Sequence, residues 1–174
     1  MSTVAAAPEA TLESMTRLGD LVRPETEGLE RAGHEPTTPA EELADRDGYD
    51  QEFLSGWKIP LPRLTGAAAQ DVRKLPGSRD HVLKYTHFSV VLSASRRMPM
   101  YTACNIDGEE SVGIKRTAVP WAFDGRLPKE QQWGDALYDS NALDRGHMVR
   151  REDPVWGKSK EAKQANIDTF HFTN

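Results

Sequence analysis

Cysteine is nearly absent. Cys104 stands alone among 174 residues, which excludes an internal disulfide framework and a zinc cluster built on thiolates. A lone cysteine in a β-like run serves as a small buried hydrophobe. Long apolar runs are also missing: hydrophobic residues make up 37% of the chain, and no stretch approaches the ~20 residues that cross a bilayer. The first nine residues, Met1 to Glu9, carry neither a basic nor an apolar leader region. A soluble, cytoplasmic protein with no membrane partner is the expectation.

Positive charge is in deficit too, with a net of −5. That balance would disfavour a nucleic-acid partner if it were spread evenly, because phosphate binding draws on Lys and Arg. It is uneven. Residues 1–48 hold eleven acids against four bases, which leaves sixteen acids and eighteen bases to residues 49–174. Eleven prolines and thirteen glycines add many turns. The expectation is an acidic, largely flexible extension over residues 1–48 and one domain over 49–174.

Within the extension, Leu12, Met15, Leu18 and Val22 recur at three- and four-residue steps, the spacing of a short helix broken by Gly19. Thr38-Pro39-Ala40-Glu41 combines an N-cap, a first-turn proline and a capping-box glutamate, and predicts a second helix ended by Gly48. Further on, His87 to Ser93 and Met98 to Asn105 are short β-branched and apolar runs joined by Ser95-Arg96-Arg97, an antiparallel pair. Lys115-Arg116-Thr117 begins another extended piece, and Phe123 to Arg126 forms a turn. Lys158 to Asn166 predicts a surface helix, and the alternation of Thr169 to Thr173 predicts a final strand.

The chemistry concentrates in Asp144-Arg145-Gly146-His147. An imidazole titrates near pH ~6.5 and removes a proton from water at neutral pH when a hydrogen bond fixes its tautomer; Asp144 or a backbone carbonyl is placed to supply that bond. Gly146 removes side-chain bulk beside the histidine. Arg145 offers a planar fork that matches phosphate oxygens. Arg150 and Arg151 follow the histidine closely and add positive charge, and Arg116 of Lys115-Arg116, ahead of a proline- and aromatic-containing loop, is a second candidate; the alternative for all three is solvated surface. His34, His87 and His171 lack such company and are read as structural.

Four blocks in order, Tyr101 to Gly108, Asp144 to His147, Asp153 to Gly157 and Ala165 to Asn174, resemble the DNA/RNA non-specific endonuclease family, the ββα-metal nucleases of the endonuclease G type. The resemblance covers roughly residues 48–174. It implies an α+β fold with a twisted, mainly antiparallel sheet flanked by helices. It further implies DNA and RNA as substrates, His147 as general base, and Arg145 and Arg116 on the phosphate. Asn174 would support hydrogen bonding near the site and Asp144 would shape the motif, with Arg150 and Arg151 beside the substrate. Products would carry 5′-phosphate and 3′-hydroxyl ends.

The family uses one hydrated Mg²⁺ or Mn²⁺, held directly by an asparagine on a helix after a Pro-Gln turn. That helix would lie beyond Asn174, so the fold is expected to be incomplete at the C-terminus and no metal ligand is assigned. Asn166 precedes the expected last strand and is not a substitute. Two functions follow: the amino-terminal part of a sugar-non-specific nuclease, completed by a remaining segment, or a catalytically incomplete module that binds nucleic acid or a protein partner in a regulatory role.

Overall fold

Strand Phe88–Leu92 organises the fold because every one of its residues is buried. A computed structural model describes residues 35–139 and 142–172. The elements in chain order are β1 (Thr37–Thr38), α1 (Gly66–Asp71), β2 (Val82–Tyr85), β3 (Phe88–Leu92), β4 (Pro99–Cys104), β5 (Phe123–Asp124) and α2 (Ser159–Asp168), with three short 3-10 turns. Strands β2, β3 and β4 form an antiparallel sheet in that order, and β1 pairs with β5 in parallel. The architecture is α+β with a mainly antiparallel sheet, as the resemblance implies.

Leu83, Tyr85, Phe88, Val90 and Leu92 of the sheet meet Leu43, Leu127, Val149 and Phe172 in one hydrophobic core. The predicted pairing of β3 with β4 is present, with a register irregularity at Val91/Leu92. β2 adds a strand that the apolar pattern does not announce, since Lys84 interrupts it on the exposed side. The β2–β3 hairpin turns at Thr86-His87, where His87 adopts a φ of 68°. This left-handed backbone is uncommon for a side chain with Cβ, and its anchors are visible. His87 donates Nδ1–H to the Pro154 carbonyl at 2.8 Å and stacks on Trp156 at 3.5 Å. Thr86 donates its N–H and hydroxyl to the buried Asp168 of α2, at 2.9 and 2.8 Å.

Four expectations need correction. Residues 35–48, grouped with the extension by charge, are folded: Leu43 enters the core and Arg46 Nε donates to Asp168 at 2.9 Å. Acidic composition on the exposed positions conceals these inward contacts. The helix expected after Thr38 is a single 3-10 turn, Ala40–Leu43, without a side-chain cap, because Thr38 lies in β1 and its Oγ1 meets His171 Nε2 at 2.9 Å. Gly48 ends no helix; its φ of 82° lets the chain turn where a Cβ would meet Ser89 Oγ at 2.6 Å.

Residues 169–172 form no strand either. Thr169 caps α2 in the helical conformation, and Phe170, His171 and Phe172 are all buried as the chain turns into the core. Lys115-Arg116-Thr117 likewise joins no strand. The helix expected over residues 11–22, His34 and Asn174 lie outside the described residues.

Asp124 of β5 is fully buried. It takes Arg126 through Nε and Nη2 at 3.1 and 2.7 Å, accepts the Tyr85 hydroxyl, and exchanges backbone bonds with the Gln132 amide. Burial alone would raise its pKa, but the hydrogen bonds and charge of Arg126 and the Tyr85 hydroxyl outweigh it and hold the carboxyl below its ordinary value of 3.8. A carboxyl whose pKa falls on folding contributes stability above its unfolded pKa and loses it as pH drops through the folded value. Asp124→Asn is therefore expected to cost about 3–5 kcal/mol at neutral pH, since it leaves the Arg126 charge uncompensated, and to flatten the acid limb below pH ~4. Urea midpoints measured against pH check both; a loss under ~1 kcal/mol contradicts the assignment.

Candidate active site

His147 sits on the irregular chain between β5 and α2, and its surroundings come from three separate segments. Its ring lies 4.7 Å from Trp121 and 4.5 Å from Phe170 between centroids, the latter edge to face, and the two aromatic rings are 5.2 Å from each other. The Ala122 N–H donates to the Phe170 carbonyl at 3.1 Å and locks those two walls together. Nε2 of His147 is buried and has no hydrogen-bond partner among the described residues. Burial, and then the charges of Arg151 and Arg145, hold its pKa below the ordinary 6.5. A neutral imidazole with an unengaged nitrogen is the state that a general base requires at neutral pH.

Arg145 is packed in a different way from the expectation. Its guanidinium lies over Trp121, 4.2 Å from the ring centroid, and its side chain is only 9% exposed. Nη1 donates to Glu35 and, at 2.5 Å, to Asp135. Nε is buried without a partner among the described residues. One edge of the fork is thus occupied by protein carboxylates, while Nε is left for a further acceptor.

The remaining arginines spread over neighbouring surface. Arg151 donates Nε to Asn166 at 2.7 Å and Nη2 to the Thr117 carbonyl at 3.1 Å, and lies 5.0 Å over Phe170. Arg116 is 73% exposed and pairs through Nη2 with Glu152 at 2.7 Å. Arg116, Arg151, Glu152 and Asn166 share the lining of a cavity of about 190 Å³, so the fold brings together two arginines that are 35 positions apart. Arg150 is exposed and pairs with Asp153 at 3.1 Å. Asp144 is exposed on the same motif. Asn166, buried in α2, accepts Arg151 Nε through its side-chain oxygen.

A cavity of about 560 Å³ lies elsewhere, around His87 and Trp156, with Asp47, Asp50, Glu52 and Glu161 in its lining. Its charge has the wrong sign for phosphate. Trp121, Phe170, Glu35 and Asp135 are neighbours of His147 and Arg145 that the sequence pattern does not single out. Trp121 follows Arg116 in an aromatic loop, a weak signal; Glu35 is one of many acids in its stretch and carries none. Among the described residues, no group of three or more His, Cys, Asp or Glu side chains can hold a metal ion, and no helix is long and apolar enough to cross a membrane.

The family model described as DNA/RNA non-specific endonuclease matches residues 66–174. The uncharacterized protein y4fB of Sinorhizobium fredii is 47% identical over 148 residues, an alignment that covers 79% of this chain and 22% of that protein. The chain therefore spans about a fifth of the length of this relative. No solved structure matches.

The histidine environment has a thermodynamic signature. A histidine whose pKa is lower folded than unfolded binds its proton more weakly in the native state, so stability is full above pH ~6.5 and falls as pH drops toward the folded value. His147→Gln is expected to flatten stability against pH in the window just below pH ~6.5. Urea midpoints at several pH values check this, and identical slopes for both proteins contradict the buried neutral imidazole.

Proposed function

The chain belongs to the DNA/RNA non-specific endonuclease family, and on that premise we propose that it hydrolyses phosphodiester bonds of DNA and RNA with His147 as general base. The observation that carries this reading is the buried Nε2 of His147, unpartnered among the described residues, on an imidazole whose pKa burial and two arginines hold below its ordinary value. Nε2 takes a proton from the attacking water as its oxygen approaches phosphorus in line with the leaving 3′ oxygen. The charges of Arg151 and Arg145, which keep His147 deprotonated, are of the sign that attracts the phosphate. Products carry 5′-phosphate and 3′-hydroxyl ends.

The side chains divide the work. Arg145 contacts a phosphate oxygen through the edge left by its carboxylate partners, with Nε at that edge. Arg116 and Arg151, on their shared cavity, hold the flanking backbone, with Arg150 adding charge at the margin. Asp144 shapes the turn into the motif. Asn174, outside the described residues, supports the hydrogen bonding next to the base. Contacts of this kind go to phosphate and sugar, which positions a substrate without reading its sequence.

A hydrated Mg²⁺ or Mn²⁺ would neutralise charge on the phosphorane and on the leaving oxygen. The described residues offer no carboxylate and imidazole cluster for such an ion. The steps assigned to the described residues are proton removal and phosphate positioning. A cytoplasmic location and a protein partner, or a further nuclease segment that completes the site, belong to the same proposal.

The test is cleavage of plasmid DNA and of RNA by the chain in Mg²⁺ or Mn²⁺. His147→Ala is expected to lower the rate roughly 10²–10⁴-fold, with oligonucleotide affinity retained and declining steeply with salt. Cleavage that survives His147→Ala refutes the assigned base. Absence of binding to either nucleic acid, together with affinity for a protein partner, would favour the regulatory module instead.

A further inference from the structure

We propose that Glu35 is a positioning residue of the nucleolytic site: its carboxylate fixes the Arg145 guanidinium flat against Trp121, so that the Nε edge of Arg145 faces an incoming phosphate oxygen. The proposal deepens the nuclease reading and rests on it only for the identity of that ligand. Glu35 lies outside residues 66–174, the stretch that the family model matches.

The contact is built from several directions. One Glu35 oxygen accepts Arg145 Nη1, and the other accepts the Asp135 backbone N–H at 2.9 Å. Both carboxylate oxygens are in use, and the side chain is 9% exposed. Its backbone is held next door, where the Pro36 carbonyl accepts the Phe123 N–H at 2.8 Å and Thr37–Thr38 pairs with β5. Gly134 makes room: a Cβ there would overlap the Glu35 carboxylate. A carboxylate that merely competed with phosphate would have to leave this seat and strand the Asp135 N–H.

For Arg145 the consequence is geometric. Two carboxylates hold Nη1, and the Trp121 ring lies under the guanidinium plane at 4.2 Å from its centroid. These contacts restrain rotation about the side chain, and Nε remains as a buried donor without an acceptor among the described residues. A charged donor left in that state accepts an anion at little cost in reorganisation. The same guanidinium lies on the aromatic ring that packs against His147, so its placement also sets the charge that the imidazole feels. The charged groups around His147 are Arg145 and Arg151, with Glu35 and Asp135 behind Arg145; its other neighbours, Trp121 and Phe170, do not titrate.

The experiment uses the full 174-residue chain with labelled histidine and arginine. The His147 resonance is assigned by its loss in His147→Gln, and its titration is followed in the wild type and in Glu35→Gln, with thermal unfolding as the control for folding. Removing the carboxylate leaves Arg145 less neutralised, and the His147 midpoint is expected to fall by about half a pH unit. Binding of a single-stranded oligonucleotide in EDTA is expected to weaken several-fold in Glu35→Gln, with no further loss on adding Arg145→Ala.

An unchanged or raised midpoint in a folded variant overturns the proposal. So does tighter oligonucleotide binding, which would make Glu35 a competitor of phosphate. If the wild type binds no oligonucleotide, the nuclease reading fails while the titration still decides the role of Glu35. Should Glu35→Gln not fold, the wild type suffices: separate, slowly rotating Arg145 Nη signals are expected, and fast averaging refutes the clamp.

Discussion

The buried carboxylate of Asp124 is the constraint on which the rest of this molecule depends. It lies on a two-residue strand that could not hold its place through backbone pairing with β1 alone. Arg126, Tyr85 and Gln132 supply the missing restraint. Arg126 also donates to the Lys84 carbonyl at 2.8 Å, and Tyr85 stacks on Phe88 and His171. The network thereby ties β5 to the edge of the three-stranded sheet and to the chain after α2. A buried charge is expensive unless it is paired and hydrogen-bonded, and here the pairing is what gives the region one arrangement.

From β5 the restraint passes directly to the site. Trp121 and Ala122 precede the strand, and Ala122 holds Phe170 by a backbone bond, so the aromatic walls around His147 inherit the position of Asp124. The walls exclude water from one side of the imidazole, and the nearby arginines oppose its protonation. The same cations carry the sign of charge that attracts an anion. Their number carries a cost, because a buried arginine needs a counter-charge. Glu35 and Asp135 meet that need at Arg145 while leaving Nε for a further acceptor.

Much of the fold was legible where local signals agree with tertiary demand. The β3–β4 pair shows as two β-branched runs around a turn, and α2 as a stretch of helix formers between breakers. Reading failed where a side chain answers to a distant partner. Thr38 looks like a helix cap but serves His171. Residues 169–172 alternate like a strand, yet they turn inward after the helix cap, and Phe170 becomes a wall of the site. Leu43 and Arg46 vanish into an acidic background, though one joins the core and the other neutralises Asp168.

The site divides along the same line. His147 and Arg145 lie two positions apart in the sequence, and their groups, an imidazole and a guanidinium, are the kinds that proton abstraction and phosphate binding call for. The sequence by itself determined the chemistry available, the family and the uneven distribution of charge. Only the tertiary structure decided that Trp121 and Phe170 flank the imidazole, that Arg116 and Arg151 share a cavity, and that a carboxylate 110 residues upstream holds Arg145. The reason is physical: residue type sets what a group can do, whereas burial and the field of its neighbours, which come from chain segments far apart, set the protonation state and direction in which it does it.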